Sequence, residues 1–248
     1  MLIEFDGSFN GFLSLIYDWH YNKSLQNSQI SIQDTNTQQL SFFEEKHVVE
    51  TCETKAEKVY DAINKKISNH CASVLYNGFL FACSTKYLTL LQYINLGFKV
   101  GHMVDSHLQE PFVLSAHKMA KEVGMEAHLL FGFSRFVETD SGVFYSHITP
   151  KNNVLPLVAE HFANRFMNQQ WVIHDKLRNQ AAIYNGQEFL LVDTPPGVTI
   201  TFAPGEEDMQ KLWKSFLKAL TIESRLNPKL QRQLLPLRYR HNMTEFTN

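Results

Sequence analysis

Cysteine is scarce in this sequence, and the motifs of the common nucleotide and metal enzymes are missing. The three cysteines, Cys52, Cys71 and Cys83, are widely spaced and form no CxxC pair, so cysteine encodes neither a zinc ribbon nor an iron–sulfur site. The chain has no Walker A loop, no GxGxxG after a strand, no GxSxG and no kinase signature. These absences disfavour nucleotide hydrolysis, Rossmann redox chemistry and serine hydrolysis by those routes, and we assign no cofactor and no metal.

Long apolar runs are also missing. No stretch approaches the roughly 18–20 apolar residues that a membrane span needs, and MLIEFDGSF lacks the basic start of a signal peptide. An apolar content of 44% with 19% charged residues is typical of a globular protein. The sequence therefore predicts a soluble, reduced, cytoplasmic protein with no membrane partner.

Basic residues are concentrated at one end of the chain. The net charge is −2, yet the stretch from Met209 to Asn248 holds eight Lys and Arg residues against two glutamates. This stretch, called the basic segment below, therefore carries +6 and leaves −8 for the remaining residues. Such an asymmetry indicates an acidic body with one basic face or arm.

Apolar periodicity predicts a helical first half. Stripes at helical spacing indicate helices that begin near Phe9, behind a capping box at Thr54–Glu57, and over 72–83, 85–96 and 103–123. Gly97 and Gly124 are predicted to end two of these helices, and Pro111 to kink or break the last. The polar stretch 22–39 is predicted to be a loop with one short strand around Ile30 and Ile32.

The second half is typical of strands joined by tight turns. HLLFGFSRFVE and VFYSHIT read as a hairpin, followed by a helix, three strands and two more helices. The order ββ-α-βββ-α-α predicts an α+β fold with an antiparallel sheet of about five strands covered by helices. We divide the chain into a mainly helical region, 1–124, and an α+β region with a basic C-terminal helix and arm, 125–248, together forming one compact unit.

Polar residues near the predicted strands are the candidate catalytic groups. Arg135, among aromatic neighbours, is a phosphate or carboxylate clamp or else an ordinary surface arginine. His161 and Arg165, four residues apart on a helix, form an anion site or acid–base element, or merely a polar edge. The remaining candidates are Glu126 with His128, which alternate on one face if the strand has begun there, and Asp175 at a strand end. His102, His107 and His117 match no metal spacing and are interpreted as structural or solvated.

The basic segment contains the candidate nucleic-acid-binding residues. Asn227 and Pro228 begin a helix that presents Leu230, Leu234 and Leu235 to the body, and Pro236 ends it. Cations interleaved with aromatics are typical of surfaces that follow phosphates and stack on bases, and the candidates are Lys229, Arg232, Arg238, Tyr239, Arg240 and the more distant Trp171. The alternative is a docked helix whose charges only solubilise it.

Several stretches together resemble a known family. DGSFNGFL, EAHLLFGFSRF, SGVFYSHITP, NNVLPLVAEHFANRF, WVIHD and NPKLQRQLLPLRYRHNMTEF are similar to an uncharacterised bacterial family associated with DNA metabolism or DNA repair. Related domains occur fused to uracil-DNA glycosylase-like domains, and members accompany a radical SAM protein. The resemblance implies a protein that acts on or near DNA, with motif positions that include Glu126, His128, Arg135, His161, Arg165, Trp171, Asp175 and Tyr239.

Three functions remain open on these residues. The first is a DNA repair or metabolism protein that binds DNA or a nucleotide through the basic segment and an Arg135–His161–Arg165 pocket. The second is an accessory protein whose basic segment docks an acidic partner such as the radical SAM protein or a glycosylase. The third is a small-molecule enzyme that acts on an anionic metabolite at His161 and Arg165.

Overall fold

The computed structural model describes residues 1–26, 30–35, 46–195 and 197–247. By the density of internal contacts the chain divides into two compact units, Met1–Gly124 and Met125–Asn248, called the first and second units below. Both contain helices and strands, and the predicted α+β class is confirmed. None of the helices in this described part combines the length and apolarity needed to cross a lipid bilayer.

The first unit joins a small parallel sheet to a group of helices. Its strands are β1 (Leu2–Phe5), β2 (Ser31–Asp34) and β3 (Lys46–Val48), arranged in the order β2-β1-β3. Its helices are α1 (Phe9–Tyr21), α2 (Lys23–Gln26), α3 (Glu53–Lys66), α4 (Asn69–Phe79) and α5 (Lys86–Val100), followed by a 3₁₀ helix (Gly101–Ser106) and the start of α6 (Pro111–Phe133). The strand predicted around Ile32 is confirmed as β2, whereas positions 27–29 and 36–39 of the predicted loop lie outside the described residues.

Two of the predicted helix signals in the first unit are wrong. The Thr54–Glu57 capping box does not form, because α3 already begins at Glu53 and its N-cap, Cys52, makes no side-chain cap. Gly97 does not end α5; it lies inside the helix, where a Cβ atom would meet Cδ1 of Ile67 at 2.7 Å. The glycine there allows close packing, and the helix ends at Gly101 with φ 66°. The break expected at Pro111 is confirmed, since the 3₁₀ helix and α6 are separate.

The second unit is built on a five-stranded sheet. Its strands are β4 (Val137–Glu138), β5 (Phe144–Ile148), β6 (Trp171–Asp175), β7 (Gln180–Tyr184) and β8 (Phe189–Asp193), in sequential spatial order. Three of the four pairings are antiparallel as predicted, but β5 and β6 are parallel. The reason is α7 (Leu155–Arg165), which carries the chain back between them and packs against β6, β7 and β8.

The stretch predicted as the first strand of this unit is mostly helix. α6 continues through Gly124 to Phe133, so EAHLLFGF is helical and only Val137–Glu138 pairs as β4. Glu126 and His128, two positions apart on a helix, therefore do not share a face. The buried residues Val123, Ala127 and Leu130 continue one apolar stripe across the glycine, which explains why the helix does not stop there.

The described part of the basic segment consists of short helices joined by brief connections. It contains most of α8 (Glu206–Leu220), a 3₁₀ turn (Glu223–Arg225), α9 (Pro228–Leu234), α10 (Leu237–Arg240) and a final 3₁₀ turn (Thr244–Phe246). Two predictions here are wrong. Leu230 and Leu234 are 48% and 64% exposed rather than turned to the body. Arg238, Tyr239 and Arg240 belong to α10 instead of an extended arm.

Candidate functional site

The cations of α9 are presented to solvent on one helical face. Asn227 caps the helix by accepting a hydrogen bond from the Leu230 amide at 3.0 Å, and Pro228 occupies its first turn, both as predicted. Lys229 and Arg232, three residues apart, project side by side and are exposed. Within the described residues neither side chain has a carboxylate partner, so both charges are available to an anion.

The cations of α10 are more strongly engaged. The Arg238 guanidinium lies 4.6 Å from the centre of the Tyr239 ring and 3.4 Å from a carboxylate oxygen of Glu126, but it stays half exposed. Arg240 donates to the Leu235 carbonyl and covers the Phe246 ring at 4.7 Å. Tyr239 is 1% exposed, so it is not accessible for stacking on a base in this structure.

Glu126 is the centre of a buried hydrogen-bond network rather than an exposed acid. Its carboxylate is 4% exposed and accepts from the amides of Lys151 and Asn152, each at 2.8 Å, and from the Tyr239 hydroxyl at 2.6 Å. Burial alone would raise the pKa of Glu126, but the hydrogen bonds from Tyr239, Asn152 and Lys151 outweigh it and lower the pKa. The group is therefore a charged anchor that joins α6, the loop before α7 and α10.

Arg135 forms a clamp, and its occupant is a carboxylate of the same chain. Its guanidinium holds Glu245 through two hydrogen bonds of 2.7 and 3.2 Å and lies 5.7 Å from the Trp213 ring centre. The Trp213 indole also donates to Glu245, at 3.3 Å. Burial opposes ionisation of Glu245, but the Arg135 hydrogen bond helps to lower its pKa, so the pair is charged.

A cavity of about 600 Å³ opens beside this ion pair. Its walls come from the end of α6, from β4 and β5, and from α8, with Arg135, Glu206 and Trp213 among the lining residues. The cavity thus combines an aromatic wall with a neutralised arginine. Its remaining ionic groups are the carboxylates of Glu138 and Glu206, which disfavours an anionic ligand here.

His161 and Arg165 come together as predicted, and His128 joins them. The His161 ring stacks on Phe131 with ring centres 4.0 Å apart and an angle of 8° between planes. Burial, followed by the charges of Arg165 and His128, lowers the pKa of His161, so its imidazole is neutral at neutral pH. Arg135 takes no part in this group; its hydrogen bonds go to Glu245 and to backbone carbonyls. The predicted Arg135–His161–Arg165 pocket is therefore not assembled in the described residues.

Asp175 and Trp171 are parts of the core. Asp175 is fully buried, and burial raises its pKa although Arg178, 2.9 Å away, opposes the shift. Arg178 in turn donates to the carbonyls of Pro150 and Lys151, so the pair fixes a loop. Trp171 is 1% exposed and stacks on Tyr184 across the strand pair, which removes it from contact with a nucleic acid.

Two groupings of polar side chains were not predicted from the sequence. On one face of the sheet, His174 lies 3.0 Å from the Tyr145 hydroxyl and 3.0 Å from the Thr194 hydroxyl, and burial lowers its pKa. Strand alternation in FYSHI and WVIHD was the available signal. In the first unit His117, interpreted as structural or solvated, lies beside His70 and Asp105. These three residues come from separate elements, and no local spacing marks them.

The fold and these groups define an α+β protein with an exposed cationic helix and buried, largely structural polar networks. The chain belongs to the DUF4130 family, described as a domain of unknown function, whose model matches residues 84–245. The match includes the whole five-stranded sheet and nearly all of the basic segment. No curated protein matches the sequence. The expectation of an uncharacterised family is thereby confirmed, while its association with DNA metabolism stays a prediction.

Proposed function

We propose that this protein binds the phosphates of nucleic acid through the exposed cations of the basic segment, as a DNA repair or DNA metabolism protein. The observation that carries the proposal is the pair Lys229 and Arg232, exposed together on a capped helix without a carboxylate partner in the described chain. Arg238, half exposed, and the +6 charge of the segment support it. The resemblance noted above supplies the DNA context.

The burial of the two aromatic candidates excludes base stacking by them as a mode of nucleic-acid binding. With Trp171 and Tyr239 each 1% exposed, these side chains supply no stacking platform for bases. The contacts that remain are to phosphates, which fix position but carry no sequence information. We therefore expect binding of duplex and single-stranded DNA with weak sequence preference and a strong dependence on salt.

The test is a titration of labelled single- and double-stranded DNA at 50 and 200 mM salt with a charge-reversal variant, Lys229→Glu/Arg232→Glu. We expect affinity to fall at least about tenfold and the salt slope to shrink by roughly two, since two phosphate contacts are lost. The matched control is Lys118→Glu/Lys121→Glu, an exposed pair at the same spacing on α6. Absence of binding at 50 mM salt, or equal losses in both variants, would overturn the proposal.

A second function, docking of a protein partner, is favoured by a different observation. α8 buries none of its residues, and Met209, Leu212, Phe216 and Leu220 lie along one side of it at 50–62% exposure. Lys211, Lys214 and Lys218 occupy the opposite side. Such a helix suits a partner with an apolar groove and an acidic rim, the chemistry expected of the acidic partner proposed from sequence.

Size-exclusion chromatography of the chain co-expressed with the radical SAM protein that accompanies the family separates the two functions. Docking through α8 predicts that Leu212→Ser/Phe216→Ser, which keeps the charge of the basic segment, abolishes the complex and leaves DNA affinity unchanged. Lys229→Glu/Arg232→Glu is expected to weaken DNA binding and to leave the complex with the partner intact. A complex that survives the α8 substitutions removes α8 as the docking element.

A further inference from the structure

Three metal-ligating side chains from three elements meet in the first unit. His70 lies in the first turn of α4, Asp105 in the 3₁₀ helix and His117 on α6. One donor atom of each residue lies within 4.8 Å of the other two, and Nε2 of His117 is 3.1 Å from Oδ1 of Asp105. The rings of His70 and His117 are nearly parallel, with 22° between their planes.

The contact between His117 and Asp105 is not an ordinary hydrogen bond. Nε2 of His117 is buried and has no hydrogen-bond partner of acceptable geometry within the described chain, although the carboxylate oxygen is close. A buried nitrogen left in this state is costly unless something else satisfies it. A nitrogen lone pair and a carboxylate oxygen that face one another are satisfied together by a shared cation.

The core holds two of the three side chains in place. Tyr93 of α5 is fully buried, and its hydroxyl donates to Oδ1 of Asp105 at 2.5 Å. The same ring packs edge-on against His117, with ring centres 5.9 Å apart. Carboxylate ligands of metal ions are characteristically fixed by such second hydrogen bonds. His70, by contrast, is exposed.

We propose that His70, Asp105 and His117 bind a divalent first-row transition metal ion such as zinc or iron(II). Two imidazoles and one carboxylate are the donors that these ions take, whereas magnesium and calcium prefer oxygen donors alone. Bonds of about 2.0–2.1 Å in a tetrahedral site place donors about 3.3 Å apart, close to the 3.1 Å between His117 and Asp105. Three protein ligands leave one or more positions open to water or a substrate, as in catalytic rather than structural sites.

This site shares no residue with the basic segment or with the proposed DNA-binding surface. All its residues belong to the first unit, and the segment lies in the second. Asp105 and His117 fall within the region matched by the family model, and His70 lies before it.

The test is titration of the tag-free, metal-free full chain with Co²⁺, followed by visible absorption. Zn²⁺ is then added to the Co²⁺-loaded chain, and Mg²⁺ is added to a second sample of it. We expect one saturable Co²⁺ site that Zn²⁺ displaces and Mg²⁺ does not. His70→Ala should weaken binding at least about 100-fold, and Tyr93→Phe, which removes only the support of Asp105, by about 10- to 100-fold.

The matched control is His102→Ala, since His102 is an exposed histidine on the same 3₁₀ helix as Asp105. The His102→Ala variant should bind Co²⁺ like the unaltered chain. Zinc should raise the melting temperature of His102→Ala and of the unaltered chain, but not that of His70→Ala. Because His70 is exposed, its removal is compatible with folding, which circular dichroism checks. No Co²⁺ spectrum, or equal binding by His70→Ala and His102→Ala, would overturn the site.

Discussion

The buried carboxylate of Glu126 joins several elements of the second unit by hydrogen bonds. It accepts hydrogen bonds from two amides, the Asn152 side chain and Tyr239. In Glu126→Gln the new amide group would face donors instead of accepting from them. We expect this variant to lose about 2–4 kcal/mol of unfolding free energy, measured by urea denaturation.

The effect of Glu126→Gln should depend on pH in a defined direction. Because the folded state lowers the pKa of Glu126 below 4.5, the charged group stabilises the native state above that value. The stability difference between the unaltered chain and the variant should therefore shrink as the pH falls below about 4.5. Glu160→Gln, an exposed acid on α7, is the control and should stay within about 0.5 kcal/mol at every pH. A constant difference down to pH 3 would contradict a charged Glu126.

His147 predicts a second, separate acid sensitivity. Burial, then the charges of Lys176, His241 and His174, lower its pKa from 6.5 to about 4. Between those values the unfolded chain takes up a proton that the native state refuses, so stability falls as pH drops from about 6.5 to 4. We expect His147→Gln to reduce this loss by about 2–3 kcal/mol, compared by denaturation at pH 7 and pH 4.5. An unchanged pH slope would show that other groups cause the loss.

At the scale of elements, the two misread glycines lead to opposite expectations. Gly124 lies within α6, where an added Cβ meets nothing within 4 Å, so Gly124→Ala should stabilise the chain by about 0.5–1 kcal/mol. Gly97 lies in α5 against Ile67, where an added Cβ would clash with the isoleucine side chain. Gly97→Ala should therefore destabilise the chain by about 1–3 kcal/mol. Thermal melts of the two variants check both signs. Stabilisation by both substitutions would mean that α5 is looser than its packing indicates.

The same two glycines show what local sequence conveys about elements. Stripes of apolar residues predicted α1 and α3, and the cap at Asn227 forms as expected. A glycine, however, has no signature that separates a helix end from a place of close packing. That choice depends on Ile67, which is 30 positions away from Gly97.

At the scale of the whole molecule, the cysteines provide a probe of the first unit. All three belong to it, but Cys71 is fully buried, and burial raises its pKa to about 12. Hydrogen bonds from Thr54 and Thr85 lower the pKa of Cys52 and of the exposed Cys83. We therefore expect a thiol reagent at pH 7.5 to modify Cys83 and Cys52 quickly and Cys71 only after unfolding, as followed by peptide mass spectrometry. Early modification of Cys71 would show frequent opening of this unit.

Contacts between residues that are far apart in the sequence were the part of the site that could not be predicted. His161 and Arg165 are neighbours on one helix, and their proximity followed from spacing alone. Arg135 and Glu245, or Glu126 and Tyr239, meet across more than a hundred positions, and no periodicity encodes such a partner. Arg135 and Glu126, chosen as catalytic candidates from their chemistry, are therefore held by partners of the same chain.

The Glu126–Tyr239 hydrogen bond also has a consequence for how the protein is made. Tyr239 is translated 113 positions after Glu126, which corresponds to roughly 6–23 seconds at ordinary rates of synthesis. During that interval the acid has no hydroxyl partner, and α6 cannot be joined to α10. The second unit therefore completes this network only after Tyr239 has been made, and a ribosome that stalls before Tyr239 leaves a chain whose Glu126 carboxylate lacks its hydroxyl partner.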